Sequence, residues 1–178
     1  MSRPLLSDAF EHHAWATLRL IDACAVLPAG QLDTTVPGTY GSIIDTLRHL
    51  VGADSWYLYR CGGESAHRIE DDEEAGMDLA ALRQAMTDQA TGWRAVVAGE
   101  IDPDTDIVAR RDDGAEMHAP LGIRLAQVLH HGTDHRSQVC TALTSLGVEP
   151  PLIDVWDFGA EVGRVTDVPP PGENAGDA

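Results

Sequence analysis

The segment Pro120-Leu-Gly-Ile-Arg-Leu-Ala-Gln-Val-Leu-His-His-Gly-Thr-Asp-His-Arg-Ser-Gln-Val-Cys-Thr-Ala-Leu-Thr-Ser-Leu-Gly147 decides the fold. Leu121, Leu125, Val128, Val139, Leu143 and Leu146 form one stripe at helical spacing, opened by Pro120 and stopped by Gly147 and Pro150-Pro151. Within it His131 and His135 stand four residues apart, so both rings share a helix face and can reach one ion at about 2.0–2.1 Å. At about 100° per residue, with Leu121 at zero, His135 falls near 320° and His131 near 280°, bordering the aliphatic arc, while His130 near 180° faces solvent. A zinc-protease signature would need Glu directly after the first His, and Gly132 stands there. Spacing alone leaves two readings, a metal pair and two ordinary helix histidines.

Two imidazoles hold an ion weakly. The best third candidate is His49, in the run Leu47-Arg-His-Leu-Val-Gly-Ala-Asp-Ser-Trp56. Its projection lies near 240°, beside Trp56 and away from the apolar arc of its own helix, which suits a surface or aromatic-packed histidine equally well. Asp54 points into that arc and calls for a partner. Arg136 points into the aliphatic arc of the last long helix, so a buried ion pair with a residue such as Asp54 is expected ahead of a role in binding a substrate anion. His12, His13, His67 and His118 lack helical partners at ligand spacing and are expected at the surface.

Three further long helices precede this one. Phe10, Ala14, Leu18, Ile21 and Ala25 mark the first, between Leu5 and Leu27, ended by Pro28-Ala29-Gly30. Ile43, Leu47, Leu50, Asp54 and Leu58 mark the second, from Ser42 to about Arg60, closed by Gly62-Gly63. Leu79, Leu82, Met86, Trp93, Val96 and Val97 mark the third, from Met77 to about Gly99, interrupted by Gly92. The acidic run Glu70 to Glu74 reads as a loop. Between Asp104 and Ala119, short runs flank Asp112-Asp113-Gly114, a turn that suits a small hairpin. A short helix is expected from Asp154 to Val162. The fold class is therefore all-α: a four-helix bundle with a small hairpin or irregular excursion between helices three and four and a short C-terminal helix. Residues 1–165 read as one domain and 166–178 as a disordered tail.

The 178 residues suffice to bury a core without staples. With 12 Lys and Arg against 29 Asp and Glu, the net charge of −17 disfavours nucleic acid and anionic membranes as partners, and Arg110-Arg111 is followed at once by Asp112-Asp113. Cys24, Cys61 and Cys140 are far apart and lack the spacing of thiolate zinc or redox motifs, so they read as reduced, buried thiols. With no apolar run of about 18 residues and no signal-peptide layout, the expected location is cytoplasmic.

Ala9-Phe-Glu-His-His-Ala-Trp-Ala16, Tyr40-Gly-Ser-Ile-Ile44 through His49-Leu50 and Trp56, and above all His131-x-x-x-His135-Arg136-Ser137-Gln138 resemble the motifs of the DinB-like (damage-inducible) family of metal-binding four-helix bundles. The resemblance covers most of the chain. It implies His49, His131 and His135 as ligands of a divalent ion, against the unfavourable projection of His49, and places Arg136 and Gln138 behind the ligands. Ser137 stands where many members have Gly. Three neutral imidazoles leave a coordination position open, the layout of a catalytic site. Imidazole suits several ions; zinc is expected first and nickel second. Relatives include thiol-dependent transferases and isomerases, so the leading expectation is an enzyme, whether transferase, isomerase or hydrolase, that activates a low-molecular-weight thiol or water for attack on a small electrophile. The competing class is a non-enzymatic metal-binding stress-response or ligand-binding protein. Relatives also imply a homodimer. The sequence names no general base.

Overall fold

The computed structural model describes residues 3–28, 30–62, 66–111 and 113–168. Four long helices carry the apolar stripes: α1 (Ser7–Cys24), α2 (Ile43–Cys61), α4 (Leu79–Ala98) and α5 (Leu121–Ser145). The short helices α3 (Asp71–Gly76) and α6 (Val155–Glu161) accompany them. Strands β1 (Asp106–Arg110) and β2 (Glu116–Pro120) pair antiparallel, with Val108 opposite His118. The chain is mostly helical, as expected. One expectation fails: Asp71–Gly76 is a helical turn, where Glu70 to Glu74 had read as loop. Four carboxylates in its first turn face the positive end of the backbone dipole, which favours helix over coil. Asp112 of the turn, Gly63 and most of the C-terminal tail lie outside the described residues.

Local chemistry sets the helix ends. The Ser42 hydroxyl accepts from the Asp45 N–H at 3.2 Å, and the carboxylates of Asp78 and Asp154 do the same for Ala81 and Trp156. Replacing Ser42 by Ala should cost about 1 kcal/mol in denaturant-unfolding free energy. At the other end of α5, Gly147 takes φ 73°, a left-handed turn that closes the helix by a Val148 N–H to Leu143 carbonyl bond.

Both α1 and α2 pack against α4 and α5. Gly92 owes its place to that packing: a Cβ there would lie 2.5 Å from the Leu58 side chain, so the residue that interrupts the α4 pattern is what lets α2 approach. The apolar interior divides into two clusters. One gathers Leu20, Ile21, Leu47, Val51, Met86 and Leu143; the other gathers Phe10, Leu58, Trp93, Leu125 and Val128. Along α1, α2 and α5 the seam between them falls at His13, Asp54 and the stretch 129–138, where the polar side chains of His13, Asp54, His135 and Arg136 are buried.

Candidate metal centre

α2 and α5 lie side by side, and their contact turns His49 toward the face of α5 that carries His131 and His135. One ligand nitrogen from each of the three falls within 4.8 Å of the others, and the Nε2 atoms of His49 and His131 are 3.2 Å apart. The donor set fits a divalent ion: two nitrogens at tetrahedral angles on zinc would stand about 3.3 Å apart. His130, one residue before, is exposed and outside the cluster. Helical projection thus separates the two neighbours on α5, and its aromatic-packed reading of His49 holds in the stacking on Tyr40, but it does not bring that ring to the cluster. The His49 ring is half-buried because α5 and a loop cover the side of α2 that the apolar arc leaves open.

Aromatic rings wall the cluster. Tyr40 stacks on His49 with centroids 4.1 Å apart and stands edge-on to His135, while Tyr57 stands edge-on to His131. Gln138 ties loop to helix: its Oε1 accepts from the Tyr40 N–H at 2.8 Å and lies 3.3 Å from His135 Nδ1. A proton on Nδ1 donated to that oxygen leaves Nε2 of His135 free to bind. Gln138→Leu should therefore weaken divalent-metal binding about tenfold, measured by chelator competition, with secondary structure unchanged.

The electrostatics favour neutral rings. Burial pushes His131 down to about 4, and mutual repulsion with His135 and His49 adds to it. Burial and the neighbouring His135 also lower His49; for His135 burial outweighs the opposing hydrogen bond to Gln138. Neutral imidazole is the ligating form. The cysteines offer no competing thiolate: burial raises Cys24 to about 12 and Cys61 to about 11, and raises Cys140 as well.

Two expectations about the polar interior are overturned. His13 is not at the surface; it is 1% exposed, and its Nε2 lies 3.0 Å from Asp54 Oδ1. Arg136 does not pair directly with Asp54, because His13 stands between them. Arg136 Nη1 donates to His13 Nδ1 at 3.1 Å and to Thr17 Oγ1 at 3.1 Å, and Asp54 Oδ2 accepts from Trp93 Nε1 at 2.9 Å. An arginine only donates, so Nδ1 is the acceptor and the proton of this neutral imidazole sits on Nε2. Gly132 makes room for this ring: a Cβ there would stand 2.4 Å from His13 Cε1. His12 is also no free surface group, since it is half-buried with Nε2 2.8 Å from the Ile153 carbonyl. His67 and His118 are exposed, as expected. The missed His13 had a signal: it is three residues after Phe10 and four before Thr17, both buried on one face of α1.

No helix among the described residues is long and apolar enough to cross a membrane. No curated protein matches the sequence. The sequence model described as the DinB family matches residues 1–163.

Proposed function

The chain belongs to the DinB family, and from that membership and its histidine cluster we propose that it is a helical-bundle enzyme holding a divalent ion on His49, His131 and His135. The observation that carries the reading is the convergence of three imidazoles from two helices within 4.8 Å. Zinc is the first expected ion and nickel the second. A divalent ion held this way leaves a position open and lowers the pKa of a thiol or water that occupies it, at neutral pH.

The chain's own residues do the rest. His49 and the α5 pair would supply three uncharged donors, so the ligating groups themselves would not offset the positive charge of the ion. Tyr40 covers a face of the His49 ring, Tyr57 stands edge-on to His131, and Gln138 holds the His135 ring in orientation. The substrates are then a low-molecular-weight thiol or water and a small electrophile. The high thiol pKa values of all three cysteines leave the nucleophile to come from outside the chain.

Elemental analysis of protein purified without chelators tests the ion directly, and stoichiometric zinc or nickel is expected. Incubation of the metallated protein with small thiols and a panel of electrophiles tests turnover. Rates above those of His131→Ala are expected; equal rates would leave a binding protein without catalysis.

A further inference from the structure

A cavity of about 600 Å³ opens beside His49, lined by Tyr40, Asp45, Arg48, Asp71 and Glu74 among others. Two of its charges are already matched, since Asp45 lies 3.6 Å from Arg48 and also receives the Ser42 hydroxyl. Glu74 is different. Its carboxylate lies against the backbone of Gly52, where a Cβ would stand 1.9 Å from Oε2. Gly52 is buried and follows His49 by three residues, so the carboxylate rests against α2 about one turn beyond the backbone of His49. Among the described residues no side chain or backbone group makes a hydrogen bond or ion pair with that carboxylate. Partial burial raises its pKa, the neighbouring Asp71 raises it further, and Arg48 only partly offsets them. A half-exposed carboxylate with no hydrogen-bond or ion-pair partner among the described residues, on the wall of a cavity that His49 shares, is free to pair with a cationic group of a ligand.

We propose that Glu74 is the specificity-determining residue of the metal centre, selecting substrates that carry a cationic group about one helical turn from the atom directed at the ion. The inference rests on the proposed open metal centre, and its test separates the two. The protein is loaded with cobalt and titrated with three thiols of similar size and fixed tail charge: thiocholine, mercaptoethanol and mercaptoethanesulfonate. The readout is the thiolate-to-cobalt charge-transfer band. Each thiol's own acidity is the same against every variant, so comparison between variants isolates the carboxylate.

Glu74→Gln should weaken thiocholine about tenfold, leave mercaptoethanol unchanged and tighten mercaptoethanesulfonate. Gly52→Ala, which displaces the carboxylate without removing its charge, should reproduce the thiocholine loss. Glu100→Gln, which alters an exposed carboxylate outside this cavity, should change none of the three. Bands for all three thiols with the same affinity in wild type and Glu74→Gln would overturn the role of Glu74 and leave the open centre standing. Absence of any band in the cobalt-loaded protein would overturn both.

Discussion

His135→Ala should abolish stoichiometric divalent-metal binding while leaving the helical fold in place. His135 is 8% exposed, its ring is edge-on to Tyr40 and 4.4 Å from the His131 ring centroid, and its Nδ1 is engaged by Gln138. Its removal leaves two nitrogens from different helices, a set too small to hold the ion against water. Binding free energies of about 10–16 kcal/mol spread over four ligands correspond to roughly a hundredfold or more in affinity for each one removed. Elemental analysis and zinc titration against a chromophoric chelator measure it, with circular dichroism as the check on folding. His130→Ala is the matched comparison, one residue earlier on the exposed face of α5, and should bind as wild type does. Metal lost in His130→Ala and kept in His135→Ala would reverse the ligand assignment.

That pair of variants also marks how far sequence periodicity reaches. On α5 one stripe faces the interior, so the angle from Leu121 separates His131 and His135 from His130. The same arithmetic places His49 opposite the apolar arc of α2 and says nothing of the loop at Tyr40 or of α5, which cover that opposite side. Projection describes one helix, whereas the site is a property of two helices and a loop. Family motifs carry that missing tertiary information, which is why they point to His49 when its own helix does not. The helix boundaries are legible because capping is local chemistry: Ser42, Asp78 and Asp154 each bind a backbone N–H two or three residues on. The helical turn at Asp71–Gly76 is not, because an acidic run is compatible with solvated coil and with a helix N-terminus alike.

His13 shows a second kind of limit. A search for ligand spacing along one helix passes over it, because its partners are Asp54 on α2 and Arg136 on α5, 41 and 123 residues away. The expected Asp54–Arg136 pair identifies both buried charges and omits the imidazole that links them. Gly132 is the trace of that link within α5. Its lack of a side chain does not mark a broken catalytic signature; it leaves space for a ring arriving from α1.

Asp54→Ala should therefore be among the most destabilising single substitutions in this chain. The carboxylate is 2% exposed and accepts from two buried donors, His13 Nε2 and Trp93 Nε1. Without it both donors lose their partner, and the Arg136 guanidinium, 3% exposed, loses the carboxylate tied to it through His13. Burial already draws Arg136 down to about 10, with Asp54 as the largest opposing influence, so it stays charged at neutral pH and uncompensated in the variant. Removing one partner from such a buried set costs about 3–5 kcal/mol, a drop in Tm on the order of 10 °C for a domain of this size. The network spans α1, α2, α4 and α5 at the seam between the two apolar clusters, so the loss should appear as one cooperative transition, not as local fraying. His13→Gln separates hydrogen bonding from bulk: the amide can accept from Arg136 and donate to Asp54, and should cost well under half of what His13→Leu costs. Asp54→Leu combined with Arg136→Met should be less damaging than the sum of the two, because the pair removes both charges together. Additive costs, or an Asp54→Ala penalty below about 1 kcal/mol as for a surface site, would mean that Asp54 and Arg136 are not energetically coupled through His13.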